Sequence, residues 1–193
     1  MLGLKLKTDP FWAQLAEENL EAAMVDHAWC EQKAATNAIT LIVNNCEHHD
    51  LVVAMIDLAT EELSHFKLVY EKLTARGFKL TPETKNNYVN ELLQFVRRGH
   101  ARHIVLIDRL LFAAMIEARS CERFKTLSEN VKDPELKQFY KDLMISEANH
   151  YTTFIKFARR YSQGEDVDAR WEAFLAYEAS VIVKYGLKEN IHG

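Results

Sequence analysis

Apolar residues recur at steps of three and four along four long stretches of this 193-residue chain, and each stripe is interrupted near its middle by a glutamate. The first stripe runs Met24, Ala28, Glu31, Ala35, Ala38, Ile42, and the second Leu51, Met55, Leu58, Glu62, His65, Val69. The third runs Leu106, Leu110, Ala113, Glu117, Cys121, Phe124, and the fourth Leu136, Tyr140, Leu143, Glu147, His150, Phe154, Phe157. A period near 3.6 places each set on one face of a helix, and four such faces must bury against one another.

Turn signals bound the segments. Asp9-Pro10 reads as an N-cap followed by a first-turn proline, opening a helical region that breaks near Asn19 and runs to about Asn45. After the loop "NNCEHHD", Asp50 is expected to cap a second helix ending near Gly77. A shorter connecting helix is expected from Thr81-Pro82 to Gly99, and a third long helix from about Ala101 to Ser128. Asp133-Pro134 starts a fourth that ends near Gly164, and a terminal helix covers about Asp168 to Tyr185. Six glycines and three prolines leave too few turns for a many-stranded protein. The prediction is one all-α domain over residues 1–193, a four-helix bundle with additional short connecting and C-terminal helices.

A glutamate on an apolar stripe needs an explanation, because an unpaired buried carboxylate costs several kcal/mol. Glu62 and Glu147 each have a histidine three residues on, His65 and His150, where the helical spacing turns both side chains towards one centre. One such pair is no more than chance supplies. Register carries the signal: Glu31 precedes Glu62 by 31 residues, Glu117 precedes Glu147 by 30, and the second member of each pair is the one with the histidine. One glutamate from each of two helices, plus Glu-x-x-His from each of the other two, is the ligand set of ferritin-like dinuclear carboxylate sites. Two divalent ions would neutralise the four carboxylates. Oxygen and imidazole donors suit iron or manganese and exclude a soft thiolate site, and iron is expected if O2 is the oxidant. Glu122 competes with Glu117 on the third helix, but it steps off the stripe and shortens the spacing to Glu147 to 25. Asp57 and Asp142 are outer partners of the histidines or solvated residues, with equal weight. Tyr140 and Tyr151 are expected to pack.

Composition narrows the setting. Three widely spaced cysteines, Cys30, Cys46 and Cys121, form neither a disulfide framework nor a zinc knuckle and are expected to be small buried hydrophobes in a reducing cytoplasm. The amino-terminal "MLGLKLKTDPFW" lacks the apolar run of a secretory signal, and "IVLIDRLLFAAMIEA" is cut by Asp108 and Arg109, so no membrane role is expected. A formal charge of −4 argues against a generic nucleic-acid binder. Setting aside the four metal-facing glutamates, however, leaves 24 of the 28 acidic residues against 24 lysines and arginines.

The segments "EELSHF", "IEARSCERF" and "SEANHYTTF" resemble the bacterial tRNA-(2-methylthio-N6-isopentenyl)adenosine hydroxylases, ferritin-like di-iron monooxygenases. The resemblance extends from the first long helix through the fourth. It implies two irons held by Glu31, Glu62, His65, Glu117, Glu147 and His150, with no further catalytic residue. It also implies hydroxylation of the isopentenyl chain on adenosine 37 of tRNA, using O2 and electrons from a separate donor protein. Ala113, Leu143 and Phe154, next to the ligands, would line the prenyl pocket. Arg97, Arg98 and Arg102 in "RRGHARH" are the first choice for tRNA contact, with "KFARR" at 156 to 160 second. Two other readings stay open on the residues alone: a ferroxidase or iron-storage protein, which should form a cage, and a dinuclear-metal peroxidase or catalase. A monomer or small oligomer is expected on the hydroxylase reading.

Overall fold

The computed structural model describes residues 2–84 and 87–185. Among these residues all regular structure is helical: α1 (Phe11–Glu18), α2 (Leu20–Asn44), α3 (His49–Ala75), α4 (Asn87–Gln94), α5 (Arg102–Asn130), α6 (Pro134–Arg160) and α7 (Val167–Tyr185). The described residues group into two compact units, one drawn from 16–84 and the other from 2–15 and 87–185. None of their helices is long and apolar enough to cross a membrane.

In the first unit α2 and α3 form a helical hairpin. Its apolar seam is built from Met24, Ala28, Ala35 and Ala38 on one helix and Leu51, Met55, Leu58 and Val69 on the other, all buried. Asn19 breaks the helical run between α1 and α2, as the pattern predicts. The start of α3 differs from expectation. His48, not Asp50, occupies the N-cap position, and Asp50 sits inside the first turn, where its negative charge complements the positive end of the helix dipole. The helix ends in a Schellman motif: Gly77 N donates to Thr74 O at 2.9 Å and Phe78 N to Leu73 O at 3.2 Å. Gly77 holds φ at +78°, which is strained for any residue with a Cβ. The expected helix at Thr81-Pro82 begins later, at Asn87. Residues 81–84 are non-helical because they are tied to α2 instead, with Trp29 Nε1 donating to Thr81 O at 2.9 Å and Lys33 paired with Glu83 at 2.6 Å.

The second unit is a hairpin of α5 and α6 with α4 and α7 packed alongside. Asp133 caps α6 by accepting from Glu135 N at 2.8 Å and Leu136 N at 3.4 Å, with Pro134 in the first turn and Arg159 and Arg160 in the last. Two charged networks join its parts. Arg119, 1% exposed, reaches Glu178 Oε1 through Nε at 2.8 Å and Nη2 at 2.6 Å, and Glu122 Oε2 through Nη1 at 2.9 Å. Tyr88 of α4 donates to Glu178 at 3.0 Å. In the other network Asp108 accepts from Arg97 and Arg170, the latter stacked over Phe95 and Phe174.

Candidate metal centre

Each long hairpin carries half of the predicted ligand set, placed by the same helical arithmetic. On α2 and α3, Glu31, Glu62 and His65 are all buried, and one potential ligand atom of each lies within 4.8 Å of those of the other two. His65 Nδ1 stands 3.7 Å from Glu31 Oε2 and 3.5 Å from Glu62 Oε2. On α5 and α6, Glu117, Glu147 and His150 are likewise buried and meet the same distance condition. His150 Nδ1 is 4.0 Å from both Glu117 Oε2 and Glu147 Oε1. Nδ1 is therefore the inward nitrogen in both halves. Nε2 turns outward to the side chain four residues earlier, Glu61 at 3.9 Å in one half and Ser146 at 3.5 Å in the other.

Electrostatics in the α2–α3 half are those of crowded charge. Burial alone would raise the Glu31 carboxyl, but hydrogen bonds from His27 and His65 outweigh it and hold the group well below the usual carboxylate range. Burial would lower His65, yet its contacts with Glu31 and Glu62 push it up to about 10. A carboxylate pair thus gathers a proton onto the imidazole between them. A divalent cation would take over that role with twice the charge, and its binding must displace the proton.

The donor set suits a hard or borderline metal. Each half offers two carboxylates and one imidazole, so one divalent ion per half balances the local charge. Cys121 belongs to neither ligand group: burial, followed by the negative charges of Glu147 and Glu122, pushes its thiol up to about 12. Its Sγ donates instead to Met144 O at 3.3 Å. Cys30 is buried too, whereas Cys46 is exposed and not the buried hydrophobe expected.

Glu117 and Glu122 are separated by their partners. Glu117 faces His150, while Glu122 turns to the N-terminal segment, where Thr8 donates to it through both N, at 2.6 Å, and Oγ1. Arg119 completes that separate environment. Asp57 and Asp142 are exposed, and Asp142 accepts from Gln138 at 2.7 Å, so the solvated reading holds for both. Tyr140 stacks on Phe124 and Tyr151 tilts against Trp171, as packing residues do. Ala113, Leu143 and Phe154 are buried.

Of the three arginines expected to meet tRNA, the structure takes one elsewhere. Arg97 bonds Asp108 through Nη2 at 3.0 Å and Glu165 through Nη1 at 3.0 Å, so its charge is already neutralised within the fold. Arg98 and Arg102 are exposed. The sequence reading missed His27, which is fully buried with Nε2 2.6 Å from Glu31 Oε1. The signal was present as a histidine four residues before a stripe glutamate, one helical turn away.

The fold places the chain among ferritin-like helical proteins. It aligns over 98% of its length with 95% of a Synechococcus protein described as having aldehyde deformylating oxygenase activity, at a TM-score of 0.91 and 30% sequence identity. The chain belongs to the tRNA-(MS[2]IO[6]A)-hydroxylase (MiaE) family, whose pattern it matches over residues 2–193. It is 38% identical over 175 residues to the tRNA 2-(methylsulfanyl)-N(6)-isopentenyladenosine(37) hydroxylase of Pseudomonas putida, a span of 91% of this chain and 84% of that one. A Salmonella typhimurium protein of the same description is 39% identical over 142 residues, or 74% of this chain and 51% of the relative. These relatives bear out the resemblance carried by the three motif segments.

Proposed function

We propose that this protein hydroxylates the isopentenyl side chain of modified adenosine 37 in tRNA in the cytoplasm, with O2 as the oxygen source and electrons from a separate donor. The observation that carries the reading is the pair of matched, buried carboxylate–histidine sets on two hairpins, in a chain of the tRNA hydroxylase family. Glu31, Glu62 and His65 on α2 and α3, and Glu117, Glu147 and His150 on α5 and α6, would hold two irons.

When bound, the iron pair would supply the activation of O2 needed to oxidise an allylic C–H bond of the prenyl chain, with one oxygen atom entering the substrate and the other leaving as water at the expense of two electrons from the donor. The protein's own groups do the rest. The four carboxylates would hold the ions and offset their charge, and the imidazoles would add a nitrogen donor from the inward Nδ1 side, while Glu61 and Ser146 stand against Nε2 on the outer side of the rings. Ala113, Leu143 and Phe154 supply apolar surface for the prenyl tail and exclude water from the reacting carbon.

The direct test presents the iron-loaded protein and a reductant with tRNA bearing isopentenyladenosine, then digests the RNA to nucleosides. A hydroxylated nucleoside formed in air and absent without O2 is the expected result. Unchanged nucleoside, together with rapid Fe2+ oxidation and elution as a large shell, would instead establish the ferroxidase reading.

Phosphate contact falls to Arg98 and Arg102. Changing both to glutamate should weaken tRNA binding and reduce the slope of log K against log salt by about 0.7–0.9 for each lost phosphate contact, with iron content unchanged. Arg97→Glu should act differently, lowering stability through the loss of the Asp108 and Glu165 pairs. An Arg98→Glu/Arg102→Glu protein with the wild-type salt slope would move the RNA surface elsewhere, to Lys156 and Arg160 first.

A further inference from the structure

The two half-sites match in their inward ligands and differ one turn away from them. Four residues before Glu31 stands His27; four residues before Glu117, at the corresponding helical position, stands Ala113. His27 and Ala113 are both buried, so neither position is a solvent-facing accident of the helix surface. Only the α2 position supplies a hydrogen-bond donor to its glutamate.

The contact divides the work of the Glu31 carboxylate. Oε1 accepts from His27 Nε2 at 2.6 Å, and Oε2 is the oxygen that faces His65 Nδ1 at 3.7 Å. A short bond to one oxygen fixes the rotation of the carboxylate plane and withdraws electron density from it. Both effects bear on how the remaining oxygen binds a cation. Burial of the pair away from water strengthens them, because no solvent competes for either partner.

We propose that His27 is a positioning residue: by holding Glu31 Oε1 it presents Oε2 to the metal of the α2–α3 half-site and makes the two metal positions unequal. The proposal rests on the dinuclear reading above. The α2–α3 half-site, whose glutamate is held by a histidine from the preceding turn, fills first; the α5–α6 half-site, with Ala113 at that position, fills second. Loss of an outer hydrogen bond of this kind typically lowers metal affinity by about 10- to 100-fold.

Titration of the metal-free full-length chain with Co2+, followed by its visible absorption and by calorimetry, tests this without any turnover assay. Two variants separate hydrogen bonding from packing. His27→Phe keeps a buried ring and removes the donor, while His27→Gln keeps an N–H that can reach Glu31. The wild-type protein should bind two ions in two distinguishable steps. His27→Phe should weaken the first step by about 10- to 100-fold and leave the second unchanged, and His27→Gln should restore two steps. Equal weakening of both steps in His27→Phe, no weakening at all, or failure of His27→Gln to restore the first step would overturn the proposal. If His27→Phe fails to fold, His27→Gln decides alone: two wild-type steps support the proposal and loss of the first overturns it. A wild-type chain that binds no Co2+, Fe2+ or Mn2+ would instead overturn the dinuclear reading itself.

Discussion

Glu117→Ala is expected to purify folded with at most one iron per chain and no hydroxylase activity, whereas Glu122→Ala keeps its iron and loses stability. The two residues are five apart on α5, yet they serve different networks. Glu117 points its Oε2 at His150 and belongs with Glu147. Removing it deletes an anionic ligand and leaves the imidazole and remaining carboxylate too few to hold an ion against water. Glu122 instead accepts two hydrogen bonds from Thr8 and one from Arg119. Its loss frees the N-terminal segment and strips one partner from a buried guanidinium, at a cost of about 3–5 kcal/mol. Iron analysis beside thermal unfolding of both variants checks the assignment. Iron loss in the 122 variant with retention in the 117 variant would show that α5 offers its other glutamate to the metal.

The largest effect on stability is expected at Arg119. Its guanidinium is the positive centre for Glu178, which is fully buried on α7, and for Glu122 on its own helix. Burial would lower its pKa, but the negative charges of Glu178 and Glu122 raise it, so the side chain stays charged under all ordinary conditions. Arg119→Met would leave two carboxylates facing each other's surroundings without a cation. The cost of breaking such a pair, about 3–5 kcal/mol, is a large part of a typical domain stability of about 5–15 kcal/mol. Urea unfolding should therefore show a collapse of the midpoint. Adding Glu178→Gln should recover part of the loss, since the second change removes the charge that the first left unpaired. A single variant within about 1 kcal/mol of wild type would mean that the network contributes registry and not stability.

Helix number and the inward placement of the four stripe glutamates were legible because both rest on period. An apolar stripe with a glutamate in register cannot avoid placing that glutamate inside, and Glu31, Glu62, Glu117 and Glu147 are all buried as the stripes require. Boundaries were less legible where a signal has two physical meanings. Thr81-Pro82 matches a helix start, but Pro82 is equally at home in an extended segment, and the long-range bond from Trp29 to Thr81 O decides between them. The same limit explains Arg97. A basic cluster reads as a nucleic-acid patch until its partners are known, and Asp108 and Glu165 lie 11 and 68 residues away along the chain. His27 was legible in principle. A histidine one turn before a stripe glutamate carries the same i, i+4 geometry as any helix pair, but without the repeat on α5 it had no second instance to set it above chance.

The central claim, that these six residues hold an iron pair that puts an atom of O2 into the prenyl chain of tRNA, is tested most directly by isotope transfer. The wild-type protein would be turned over on isopentenyladenosine-bearing tRNA under 18O2, and the product nucleoside weighed by mass spectrometry. The account predicts that the new hydroxyl carries 18O in the wild type and that Glu117→Ala, Glu62→Ala and Glu147→Ala yield no hydroxylated nucleoside. A hydroxyl bearing solvent oxygen, or labelled product from the variants at the wild-type rate, would contradict it.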